Sequence, residues 1–61
     1  MTAAQYRRII EHLGLSQEAA GVWLGVSKRT GQRYAAEGPS ETAAKLLRIV
    51  IRFELRPDDV R

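Results

Sequence analysis

Residues Gln17 to Ala36 read QEAAGVWLGVSKRTGQRYAA, an order that specifies two short helices meeting at a tight corner. The Ser16 hydroxyl can accept a hydrogen bond from the free amides of a first turn beginning at Gln17, and Glu18 lies near the positive end of that helix. Ala20, Trp23 and Leu24 recur at the three- and four-residue spacing of a buried face. Gly25 then supplies the left-handed conformation that closes a helix without a Cβ penalty. Val26 is a single apolar residue available to pin the turn, and Ser27 caps a second helix through Lys28, Arg29, Thr30, Gly31, Gln32, Arg33 and Tyr34. That second helix carries Lys28, Arg29 and Arg33 within about two turns, close enough for their long side chains to reach one polyanion. Gln32 stands beside them as a neutral donor and acceptor. Tyr34 anchors the opposite side.

Working outward, turn signals fall at Gly14, Gly25, Gly38-Pro39 and Pro57, and four helices fit between them. Thr2 and Gln5 form a capping box for the first; Tyr6, Ile9, Ile10 and Leu13 make its apolar stripe, Gly14 ends it, and Arg7 and Arg8 stay outside. The fourth helix starts at a Ser40 cap with Glu41 in its first turn, and it carries Ala43, Leu46, Leu47, Val50 and Phe53 towards a core. Ala44, Ile49 and Ile51 lie off that stripe. A helix apolar most of the way round needs a cover beyond a thin monomer core, and a second subunit is the economical one. From Phe53 to Arg61 the chain mixes Leu55 and Val60 with Arg56, Asp58 and Asp59, and Pro57 is compatible with either the end of helix 4 or the first turn of a stunted fifth helix. The expected fold is all-α, four- or five-helix, one domain over residues 1–61, with the corner at about 17–36 and a dimerising region at about 41–61.

The corner, with Leu15-Ser16-Gln17 ahead of it, resembles the helix-turn-helix of the phage-repressor and Cro-like (XRE-type) family of transcriptional regulators. The shared features are Gln17 opening the first helix of the motif, small residues Ala20 and Gly21 along it, the buried Leu24, the turn Gly25-Val26-Ser27 and the aromatic Tyr34. With a leading and a following helix, the resemblance covers roughly residues 2 to 54. Two departures stand out. Gly31 replaces a buried Val or Ile, which reads as a soft spot whose missing volume Trp23 could fill; and Ile10 and Ala35 stand where the family pairs an Arg with a Glu. The resemblance implies a cytoplasmic, bacterial or phage-encoded regulator that binds double-stranded DNA in the major groove as a homodimer.

Composition agrees. A chain of 61 residues makes one small domain that buries only about 60% of the surface its unfolded form exposes. Without cysteine there is no disulfide staple, and one histidine, His12, builds no structural zinc site. No apolar run is long enough to span a bilayer and no secretory pattern opens the chain, so it reads as soluble. Ten Lys and Arg against seven Asp and Glu give a net charge of +3, and the pI near 10.0 favours anionic partners.

Catalysis is not expected: the chain offers neither an activated nucleophile with its base nor a metal-ligand cluster nor a phosphate-cradling loop. No cofactor, metal or small-molecule ligand is implied. The expected base-contacting residues are Lys28, Arg29, Gln32 and Arg33, with Arg29 foremost and guanine its partner. Gln17, Ser27 and Thr30 are the expected phosphate contacts, and Ile49, Ile51, Phe53 and Leu55 the expected dimer interface. Repression is the simpler expectation, because no part of the chain is left over for an effector domain. The rival reading is a protein-interaction module that uses the apolar surplus of helix 4. Lys28, Arg29 and Arg33 together on the exposed side of the corner argue for DNA.

Overall fold

Each helix begins where a short side chain replaces a missing backbone acceptor. The computed structural model describes residues 1–54, in which α1 spans Ala3–His12, α2 Gln17–Trp23, α3 Lys28–Glu37 and α4 Glu41–Arg52. Thr2 Oγ1 accepts from the Gln5 amide at 3.1 Å while the Thr2 amide donates to Gln5 Oε1 at 2.9 Å, the reciprocal capping box read from the sequence. Ser16, Ser27 and Ser40 accept from the amides of Ala19, Thr30 and Ala43 at 3.0, 3.0 and 3.2 Å. Gly25 adopts φ +83° with open space where a Cβ would stand, so its backbone angle and not crowding calls for glycine. No strand occurs among the described residues, and the fold is all-α. Leu55 and the alternatives at Pro57 lie outside the described residues.

The core draws on all four helices. Tyr6 and Ile10 of α1 meet Ala20 of α2, Tyr34 and Ala35 of α3, and Ala43 and Leu47 of α4; Ile9, Leu13, Leu15, Trp23, Leu24 and Val26 pack around them. At its centre the Tyr6 and Tyr34 rings stand edge to face, centroids 5.9 Å apart and planes at 85°, a geometry worth about 0.5–1.5 kcal/mol beyond area burial. The Tyr34 hydroxyl donates to Ser40 Oγ at 3.3 Å, tying α3 to the cap of α4. The Tyr6 hydroxyl is buried with no partner. Burial, and secondarily the neighbouring Tyr34, raise the Tyr6 pKa above its ordinary value.

The largest interface joins α2 to α3, and two glycines set its distance. A Cβ placed on Gly21 would lie 2.5 Å from the Ser27 carbonyl oxygen and 2.8 Å from Gly31 Cα; one placed on Gly31 would lie 2.7 Å from Gly21 Cα and run into the Gln17 carbonyl oxygen. The expectation of a soft spot at Gly31 is therefore corrected. No gap exists for Trp23 to fill, because the helices approach until backbone meets backbone, which only paired glycines allow.

Three further positions depart from the sequence reading. Arg7, expected to point to solvent, remains exposed overall, yet its Nη1 donates to the Ala35 carbonyl oxygen and so fastens α1 to α3 across 28 residues. Ala44, expected off the buried stripe, is 3% exposed, whereas Phe53, expected to reach the core, is 64% exposed. Phe53 caps the C-terminus of α4, past the last buried residue of that helix, Val50, so nothing in α1 to α3 covers it.

Candidate nucleic-acid interface

The α2–α3 corner positions the candidate residues from the backbone upward. The Leu24–Ser27 turn links the helices, and Gly31, Tyr34 and Ala35 form the buried side of α3. Lys28, Arg29, Gln32 and Arg33 are all exposed. At about 100° per residue they form two adjacent rows, Lys28 with Gln32 and Arg29 with Arg33, each one turn long. The structure thus brings together all four residues expected to contact bases.

Two of the expected phosphate contacts lie at the start of α3 and the third beside its middle. Ser27 Oγ accepts from the Thr30 amide at 3.0 Å and donates to Thr30 Oγ1 at 2.9 Å, so these two hydroxyls form one small polar cluster at the start of α3. Gln17 opens α2 with its side chain exposed, and its carbonyl lies where a Gly31 Cβ would stand. The glycine crossing therefore holds the first turn of α2 directly beside the middle of α3.

The structure places one more cation near this group. Arg7 lines a groove together with Ile10, Glu11, Gly14, Leu15, Ser16 and Gln17, which places a guanidinium beside the expected Gln17 contact. The available signal was faint: Arg7 sits one turn before the buried Ile10 on α1. Further along α3, Arg33 Nε is paired with Glu37 Oε2 at 3.9 Å, with both side chains about two-thirds exposed (66% and 69%).

The expected dimer residues divide. Exposed Ile49 and Phe53 lie one turn apart on one flank of α4, which half-buried Leu46, expected towards the core, continues at a three-residue step; the Arg52 guanidinium lies 5.7 Å from the Phe53 ring centroid. Ile51 is 39% exposed but projects about 200° round the helix from Ile49, onto the other flank. Leu55 is outside the described residues.

Among the described residues no group of His, Cys, Asp and Glu could hold a metal ion, and no helix is long and apolar enough to cross a membrane. No family model, curated protein or solved structure matches the chain.

Proposed function

We propose that this chain binds double-stranded DNA sequence-specifically, laying α3 in the major groove, and regulates transcription as a homodimer, most simply as a repressor. One observation supports this reading above the others. Lys28, Arg29, Gln32 and Arg33 are all exposed on a single helix whose opposite face is locked onto the body by backbone contact, so cations and an amide project from a rigid support. In this reading Arg29, in the first turn of α3, meets a guanine edge through O6 and N7, with Lys28, Gln32 and Arg33 as supporting readers. Gln17, Ser27 and Thr30, joined by Arg7, hold phosphates on either side and set the register. The Leu46, Ile49 and Phe53 flank of α4 meets its two-fold copy, which sets two recognition helices about 34 Å apart on successive major grooves.

Selection from a random duplex pool tests this directly. The expected product is a near-palindrome with half-sites one helical turn apart, bound with an affinity that falls steeply as salt rises because counterions are released from the contacted phosphates. A pool that enriches no sequence, or binding indifferent to salt, overturns the reading. The exposure of Ile49 and Phe53 supports a second one, a protein-interaction module whose site is the flank of α4.

A further inference from the structure

Charge on α3 runs against the helix. In α2 and α4 an acid occupies the first turn, Glu18 and Glu41, and α4 ends with Arg52, which is the order that the macrodipole favours. In α3 the order is inverted. Lys28 and Arg29 occupy the positive end with no acid in the first turn, and Glu37 closes the negative end with no cation in the last. The Arg33–Glu37 pair is also written in the weaker direction, with the cation N-terminal to the acid. These placements run against the macrodipole, as the acid-free first turn of α1 also does, and they put the cations of α3 where a polyanion can reach them.

The Glu37 carboxylate faces Arg33 Nε at 3.9 Å, at the root of the guanidinium, which leaves the two terminal nitrogens free. Those terminal nitrogens form the fork that matches guanine O6 and N7. A carboxylate beside the fork also repels phosphate, which discourages Arg33 from a sequence-blind contact with the backbone. We propose that Glu37 is a positioning residue for Arg33: it draws the side chain along the Arg29–Arg33–Glu37 row and turns a general cation into a base reader at one edge of each half-site. The inference rests on the DNA-reading function proposed above.

Affinities of the full chain for its selected duplex and for a scrambled duplex of the same composition test it, with Glu37→Gln, Arg33→Ala and the double variant. Glu37→Gln is expected to tighten the scrambled duplex by about two- to threefold through loss of one repulsive charge. It should also lower discrimination by about fivefold, within the worth of one bidentate base contact, with the loss confined to a single base pair. In the Arg33→Ala background Glu37→Gln should no longer change the ratio. Thermal melting is expected to stay level or rise, since an acid leaves a helix C-terminus. Equal tightening of both duplexes, an effect on the ratio that persists without Arg33, or a melting temperature well below the parent's overturns the positioning role. A parent chain that selects no sequence overturns the proposed function and this inference with it, whereas a selective parent with an unchanged Glu37→Gln ratio overturns this inference alone.

Discussion

Replacing Gly31 with Ala adds one methyl group at the place where α2 and α3 touch. Its Cβ would stand 2.7 Å from Gly21 Cα and 2.8 Å from Gly21 N, and closer still to the Gln17 carbonyl oxygen. Carbon atoms in ordinary contact lie about 3.5–4.0 Å apart, so the two backbones must separate by roughly 1 Å. Every obstructing atom belongs to the α2 backbone, and no side chain can rotate away. Overpacking of this kind costs about 1–3 kcal/mol, and the gain of about 0.5–1 kcal/mol from exchanging a helical Gly for Ala offsets part of it. The offset leaves a net loss of up to about 2.5 kcal/mol, which for a domain this small lowers the melting temperature by up to roughly 10–20 °C. Thermal unfolding followed by circular dichroism measures it, with Gln32→Ala as the neighbouring exposed control, expected to change stability by no more than about 0.5 kcal/mol. A Gly31→Ala chain that melts at or above the parent would show that the helices are not in backbone contact.

Arg29→Ala is expected to weaken operator binding by about 1–3 kcal/mol and to relax preference at one base pair of each half-site; an unchanged ratio of operator to scrambled affinity in a filter-binding assay would leave Arg29 a phosphate contact at most. Tyr6→Phe removes a buried hydroxyl that has no partner while keeping the ring, so urea unfolding near neutral pH should find stability unchanged or raised by about 1–2 kcal/mol, and a clear loss would mean that the hydroxyl is satisfied. Because the folded state holds the Tyr6 proton more tightly than the unfolded chain, the Tyr6 contribution to stability is flat below about pH 10 and falls as pH rises through the unfolded value towards the higher folded one; the Phe variant should show the shallower fall. Sedimentation at micromolar concentration should find the parent dimeric and Phe53→Asp at the monomer mass of 6.9 kDa, whereas a parent already monomeric removes the two-fold and leaves the Ile49–Phe53 flank to another protein.

What the sequence disclosed is what short-range chemistry determines. The caps at Thr2, Ser16, Ser27 and Ser40 act on amides three residues away, so their hydrogen bonds could be read before any fold was known. The exposed ridge of α3 was legible for the same reason, since its rows follow from helical periodicity alone. Three features depend on where one helix crosses another, and local pattern is silent about that. Gly31 reads as an omission until Gly21 is found opposite it. Arg7 reads as a solubilising charge until the Ala35 carbonyl, 28 residues on, comes within its reach. Phe53 continues an apolar stripe correctly, but the stripe cannot say that the covering helices stop before it does.

The capping serines have a kinetic consequence. Each helix carries its own start signal, and the partners in the largest interface, α2 and α3, are consecutive along the chain, so only short loops need to close before contacts form. Helical domains dominated by such local contacts fold within about microseconds to milliseconds. Longer closures, Tyr6 against Tyr34 and Arg7 against Ala35, span 28 residues, and the packing of α1 on α4 closes a longer loop still. Synthesis adds a residue about every 50–200 ms, so the corner can form and reform many times between successive peptide bonds. Translation, not the folding step, then sets how soon a new protomer is ready.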